Sequence, residues 1–237
     1  MVKENLIQMY QESFRTNAEL PALTDYFKKT TLTYFELAQN IAKYHIAFEK
    51  YGIKAGEKIA LIGRNTPRWA TITYGAVIVP ILQDFNPIDA TNIVNHSDSR
   101  ILMLSRDVWE KIDVKKFEQL EVILDYEDMT TLWERTEGSF APLTSNMEAL
   151  FAERYPKGFT TNDIVYPEVT NDKVCIISYT SGTTGSSKGV MLTVNNVTAN
   201  VAFAILYKFH YRGSRVLGIL PLAHAFGCAF DMLTPLA

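Results

Sequence analysis

Apolar residues along this chain fall into two patterns: short β-branched runs closed by turn residues, and stretches in which apolar positions recur every three or four residues. The first is the pattern of a buried strand and the second that of a helix with one apolar face. Lys58 to Gly63, Ala76 to Leu82, Ile101 to Leu104, Leu120 to Leu124 and Val174 to Tyr179 each predict a strand. Leu37, Ile41, Tyr44, Phe48 and Tyr51 form a helical stripe, opened by a capping box of Thr33 and Glu36 and closed by Gly52. Asn86 ahead of Pro87 predicts a capped helix through His96, and Ser105 a cap for a short helix over Arg106 to Ile112. Residues 1–17 read as an amphipathic helix, Ala22 to Tyr26 and Thr30 to Thr33 as a strand pair, and Arg215 to Leu220 as a strand ended by Pro221. Asn195 to Lys208 reads as a helix with Val197, Val201, Ala204 and Ile205 on one face. Strands alternating with helices predict an α/β fold: a mostly parallel twisted sheet with helices on both faces.

Residues 125–170 break this rhythm with an acidic patch at Asp125, Glu127 and Asp128, loops around Gly138, Pro142 and Gly158, and a helix opened by Ser145 with Glu148. They read as a connection, not a domain boundary, and no internal repeat is present. Val216 to Ala237 carries only His224 and Asp231 as ionisable groups. It is long enough for a membrane span, but Pro221, Gly227, Asp231 and Pro235 interrupt it, so it predicts a strand, a loop and the start of a core helix. A soluble domain seldom stops inside such a stretch. The chain is therefore expected to be a truncated portion whose continuation covers this surface, and the isolated portion is expected to self-associate.

Composition narrows the function classes. With 237 residues, 47% hydrophobic and 21% charged, the chain can bury a large core, and a net charge of −3 offers no footprint for nucleic acid. The N-terminus lacks a secretory h-region. Cys175 and Cys228, far apart in apolar surroundings, fit reduced thiols of a cytoplasmic protein better than a disulfide framework or a zinc site.

The candidate chemistry lies after the strand ending at Tyr179. Thr180 to Gly189 holds three glycines, six hydroxyl residues and Lys188, with no hydrophobic side chain between. Glycines let backbone amides converge on an anion, and a lysine supplies a point charge for phosphate oxygens. A flexible linker has this composition too, but linkers rarely sit between two apolar runs. A Walker A loop fails on spacing: Lys188 follows Ser187, and Gly189 stands where a magnesium-binding hydroxyl belongs.

Tyr179 to Val190 resembles the phosphate-binding signature of the adenylate-forming superfamily, which includes acyl-CoA synthetases, luciferases and peptide-synthetase adenylation domains. Ser187 replaces the usual proline, which loosens the backbone without removing a phosphate ligand. Leu32 to Leu37 (LTYFEL), Gly75 to Pro80 (GAVIVP) and Leu220 to Gly227 (LPLAHAFG) are similar to three further motifs of that superfamily, the last in its acyl-CoA synthetase form. One departure is the five residues between Trp69 and Gly75, fewer than the family pattern. Either the helix there is about a turn shorter, or residues are missing from the chain.

The resemblance implies the N-terminal part of an adenylate-forming large domain, residues 1–237, without the rest of that domain or the C-terminal lid. For the parent it implies a ligase that activates a fatty acid, expected to be long-chain, with ATP and magnesium and transfers it to coenzyme A. A carrier-protein acceptor or a non-catalytic scaffold is the alternative. Thr180, Ser181, Gly182, Thr183, Thr184, Gly185, Ser186 and Lys188 would hold the β- and γ-phosphates. His224 would line the junction of acyl pocket and ATP site, or is a loop histidine bonded to backbone; both readings stay open. No catalytic residue and no protein metal ligand is expected within the chain. His45, His96 and His210 read as surface or structural. Glycine-rich loops without a ligand are poorly ordered, which is the expectation for 180–189.

Overall fold

A computed structural model describes residues 2–63, 76–180 and 188–237. Helix α1 (Leu6–Thr16) is opened by Asn5, whose side chain accepts from the amides of Ile7 and Gln8, and it buries Leu6, Tyr10 and Phe14 at spacings of four. Strands β1 (Pro21–Asp25) and β2 (Thr30–Thr33) form a separate antiparallel pair. Both halves of the expected capping box are made at the start of α2 (Tyr34–Tyr51), and Gly52 ends it at φ +80°, a conformation glycine adopts without steric cost. Leu37, Ile41, Tyr44 and Phe48 are buried as the stripe requires.

The main sheet has seven strands: β3 (Lys58–Ile62), β4 (Val77–Ile81), β5 (Ser99–Leu104), β6 (Val122–Asp125), β7 (Thr131–Glu134), β8 (Val174–Thr180) and β9 (Lys188–Thr193). Their order is β7-β6-β5-β3-β4-β8-β9, parallel in the interior and antiparallel at both margins, β6 with β7 and β8 with β9. The interior strands are apolar on both faces because both are covered. Ile59, Leu61, Ile101 and Met103 pack toward α1, α2 and α7 (Val194–Leu206), whereas Ala60, Ile62, Leu102 and Leu104 pack toward α3 (Pro87–His96) and the short α4 (Arg106–Trp109). The expected α/β fold with helices on both faces is the observed one. The Trp69 to Gly75 interval lies outside the described residues.

Several expectations are corrected. Ser105 precedes α4 but makes no capping hydrogen bond, and α4 ends at Trp109 because the chain leaves the helix in a turn at Glu110 to Ile112. Ser145 closes the short α5 (Ala141–Ser145) rather than opening a helix; α6 (Met147–Arg154) follows Asn146. The acidic patch is the turn that launches β7, a strand not foreseen. There the Asp125 carboxylate accepts from the Glu127 amide and pairs with Arg106 Nε at 2.8 Å, and Met129 takes φ +64°. Residues 215–220 form no strand: Leu217 and Ile219 are 73% and 79% exposed, with no ladder partner among the described residues. Beyond them the chain is less exposed than expected. The π-helical turn Gly227–Leu233 and α8 (Thr234–Leu236) bury Met232, Leu233 and Leu236, and Tyr10 Oη donates to the Leu233 carbonyl at 2.9 Å. The N-terminal helix is thereby tied to the end of the chain.

One guanidinium joins three neighbouring strands. Arg100 in β5 reaches Glu57, which precedes β3, at 2.8 Å, and grips Glu121, which precedes β6, with Nε at 2.9 Å and Nη2 at 2.8 Å. Tyr51 Oη donates to Glu121 at 2.7 Å, and the phenol is pushed up to about 12, by burial first and by that carboxylate second. The Arg100 hydrogen bonds hold the Glu121 carboxyl below the ordinary glutamate value. A carboxyl lowered in the folded state stabilises the fold above its unfolded pKa, and that contribution is lost as pH falls through the folded value. Glu121→Gln should therefore flatten the acid limb of melting temperature against pH below about 4.5. Parallel acid limbs for variant and wild type would refute this.

Candidate functional site

The loop foreseen as anion-binding is carried by the β8–β9 hairpin. Ser181, Gly182, Thr183, Thr184, Gly185 and Ser186 lie outside the described residues, as does the expected disorder of the loop they form. Its two ends are described. Thr180, the last residue of β8, is the cross-strand partner of Lys188, the first of β9, and both are exposed. Residues directly opposite in an antiparallel pair project to the same face, so the hydroxyl and the ammonium leave the hairpin together.

That face is also the one with a recess. By strand alternation Ile176, Ser178 and Thr180 share it. Ile176 and Ser178 line a cavity of about 70 Å³ with Leu192, Asn196, Asn200, Ala223 and Ala225. An adjoining apolar cavity of about 50 Å³ shares Pro80, Ile176, Val197, Cys228 and Leu233 and extends to Tyr10 of α1. Cys175 and Cys228 both line the smaller cavity as free thiols, and burial pushes both up to about 12. They stay protonated at neutral pH and act as small apolar packing groups there.

His224 stands between Ala223 and Ala225. Its Nδ1 accepts from the Phe226 amide at 3.2 Å while its own amide donates to the Pro221 carbonyl at 2.8 Å, and the side chain is exposed. It thus caps the turn that enters the C-terminal helical segment. Gly227 makes that turn possible, because a Cβ there would stand 2.8 Å from the Pro221 carbonyl oxygen.

The opposite face of the hairpin anchors it. Ile177 and Tyr179 pack toward the cluster that holds Ile93 and Val94 of α3. Tyr179 faces Gly189 across the ladder, where a Cβ would meet Ile177 Cγ2 at 2.9 Å and the Tyr179 ring at 3.1 Å. The Tyr179 hydroxyl lies 2.7 Å from His96 Nδ1 at the end of α3, with the two rings edge to face at 5.7 Å. Burial pushes the phenol up, so it keeps its proton. His96 carries no signal in its own neighbourhood of the sequence; 83 positions separate it from Tyr179, and only the fold joins them.

A parallel sheet ending in a hairpin that offers a hydroxyl and a cation beside an apolar recess defines an α/β domain suited to hold an anionic group next to an apolar one. The chain belongs to the family of AMP-binding enzymes, whose pattern it matches over residues 10–237. It is 30% identical over 210 residues to a chloroplastic long-chain-fatty-acid–[acyl-carrier-protein] ligase of Arabidopsis thaliana, covering 82% of this chain and 28% of that protein. It is 23% identical to a long-chain-fatty-acid–CoA ligase of Mus musculus over 96% of this chain and 32% of that one. The fold matches a crystal structure described as a putative long-chain-fatty-acid CoA ligase from Rhodopseudomonas palustris, with TM-score 0.73 at 14% identity, over 99% of this chain and 56% of that one. The chain thus spans about a third of the length of these curated relatives.

The contact between Tyr179 and Gly189 yields a direct test. In Gly189→Ala the new methyl must displace the ring or spread the strands, an overpacking that costs roughly 1–3 kcal/mol. Urea unfolding should show a lower midpoint; an unchanged midpoint would mean that the ring moves aside freely.

Proposed function

We propose that the protein carrying this chain activates a carboxylic acid, with long-chain fatty acids as its class, to an acyl-adenylate and passes the acyl group to coenzyme A. In the first step a carboxylate oxygen attacks the α-phosphorus of ATP and pyrophosphate leaves. In the second the thiol sulfur attacks the acyl carbonyl and AMP leaves. One observation carries the reading: Thr180 and Lys188 are paired at the two ends of the signature loop, on the face that holds the apolar recess. A triphosphate needs the first and an acyl chain the second. The family membership and the names of its relatives support the same reading.

The residues fit a nucleotide triphosphate by chemistry: a hydroxyl and an ammonium project from one exposed edge. Thr180, Ser181, Thr183, Thr184 and Ser186, with the amides of Gly182 and Gly185, would bind the β- and γ-phosphates, and Lys188 would offset their charge. Such groups act by orientation and by preorganised charge rather than by covalent help. Magnesium, travelling with the phosphates, would neutralise the leaving pyrophosphate; among the described residues no cluster of three acidic, histidine or cysteine side chains could hold a metal. His224, between two residues that line the recess, would stand where acyl group and nucleotide meet.

The chain on this reading is the N-terminal part of an adenylate-forming large domain, in keeping with the third of its relatives' length that it spans. Groups that hold ribose and activate the carboxylate would lie elsewhere in the protein. The free thiols favour a cytoplasmic setting, and among the described residues no helix is long and apolar enough to cross a membrane. A second reading, transfer to a carrier protein, is favoured by the 30% identity to a ligase of that kind. Pyrophosphate release by the complete protein with a panel of fatty acids, with and without coenzyme A, separates the two. No release with any acid would leave only a non-catalytic scaffold.

Two outcomes are expected. Lys188→Ala in the complete protein should lower adenylation at least about tenfold with the melting temperature unchanged, because an exposed cation is removed and no core contact is lost; unaltered pyrophosphate release would refute the assignment. The 237-residue chain alone should associate through Phe203, Leu206, Tyr207, Phe209, Leu217 and Ile219, all exposed, and make no acyl-CoA. A monomer by sedimentation at every concentration would overturn the first half, and turnover the second.

A further inference from the structure

We propose that His96 is a positioning residue for Thr180 and Lys188, acting through Tyr179; the inference rests on the functional reading just given. Among the described residues strand β9 is the last of the sheet and pairs only with β8, and its first four residues are all exposed. An edge hairpin can also loosen where its ladder gives way to the connecting loop, unless something outside the ladder holds it there. The tip is the place that must not fray, because Thr180 and Lys188 sit there and their common direction depends on the pairing staying closed.

Among the described residues, Tyr179 is placed to prevent this. Its ring covers the bare strand at Gly189 on one side, and on the other its hydroxyl meets His96 Nδ1 at 2.7 Å. Among the described residues this is the side-chain hydrogen bond that joins the hairpin tip to another element. The edge-to-face contact of the rings at 5.7 Å and 87° fixes the orientation of the phenol as well as its position. Because Tyr179 and Thr180 are neighbours on one strand, fixing the ring of the first fixes the backbone that aims the second. Helix α3 itself is capped at Asn86 and packed through Ile93 and Val94, so the histidine hangs from a rigid support. Its side chain is exposed and meets Tyr179 on the face of the hairpin opposite the recess, which separates its role from that of a ligand.

A hydrogen bond made in water contributes modestly, and the expected effects are sized accordingly. In the complete protein, His96→Ala and Tyr179→Phe should each lower kcat/KM for ATP in ATP–pyrophosphate exchange by about three- to tenfold, with the KM for the fatty acid unchanged. The double variant should be no worse than either single one, because the two groups act as one unit. His96→Asn keeps a polar atom on Cγ where Nδ1 stands and should restore most of the loss. Independently of activity, hydrogen–deuterium exchange should rise at Tyr179 and at Lys188 to Val190 in His96→Ala, with the amides of α3 unchanged.

Effects of the two substitutions that multiply, or hairpin amides as protected in His96→Ala as in wild type, would overturn the proposal. If wild type shows no pyrophosphate exchange, the ligase reading falls, and the amide protection alone decides whether His96 holds the hairpin.

Discussion

Tyr179 lies over a strand position that has no side chain, and the register of the β8–β9 hairpin follows from that contact. Shifting β9 by one residue would bring Lys188 or Val190 under the ring and turn every β9 side chain to the other face. Neither substitute can be accommodated where a single Cβ already approaches Ile177 to 2.9 Å. The register in turn decides that Lys188 stands opposite Thr180. A cation on the α3 side of the sheet would face Ile177 and Tyr179, with no recess beside it. The glycine after the lysine is thus a geometric requirement of the site, independent of any flexibility it might lend the loop.

What keeps the hairpin in place is the sheet behind it, and that sheet is stable because its strands are covered twice. Residues of β3 and β5 alternate between the helices α1, α2 and α7 on one side and α3 and α4 on the other. Parallel strands buried on both faces need no polar alternation, which is why KIALI, VIVPI and RILML read as nearly unbroken apolar runs. Arg100 adds a polar counterpart at the beginnings of these strands, drawing Glu57 and Glu121 together around one planar donor. Tyr10 does the same for the chain's two ends by bonding the Leu233 carbonyl. The recess exists because these constraints hold α1, α7 and the C-terminal turns at fixed distances from β4 and β8.

Elements that declare themselves locally were legible in the sequence. The capping box at Thr33 and Glu36, the Asn86–Pro87 helix start and the Gly52 stop depend on interactions within a few residues, and all are present, as are the apolar runs that form strands. Val174 to Tyr179 is a strand too, but half-buried and not buried as its composition suggested, because it lies next to the edge of the sheet. Features that depend on distant partners were not. Strand β7 is half-buried throughout and exists because it pairs with β6; Val216 to Leu220 is more apolar but pairs with no strand among the described residues, so apolarity alone does not make it one. Ser105 has the right side chain for a cap and sits in the right place, yet its hydroxyl bonds none of the helix amides. In the candidate site, the roles proposed for Thr180 and Lys188 come from loop chemistry, whereas the Tyr179 to His96 contact joins positions 83 apart and depends on where the fold brings the end of α3.

Strand β8 shows how one short element can carry both kinds of information. From Ile176 onward its period of two assigns Ile176, Ser178 and Thr180 to the recess face and Ile177 and Tyr179 to the anchor, so support and proposed function alternate along these five residues; Cys175, at the register shift before them, lines the adjoining cavity as well. A change at an anchor position acts on the function through the backbone, and a change at a recess position acts on the ligand directly. On the proposed function the two classes differ in what they disturb first: the protection of the hairpin amides for Tyr179 and Gly189, the affinity for phosphate for Thr180 and Lys188. Because the alternation is built into the strand, this division holds even though the residues that complete the loop are carried between its ends and not on the ladder. Tyr179 and Gly189 therefore belong with the scaffold, while Thr180 and Lys188 are left on the opposite face, free for the ligand role proposed for them.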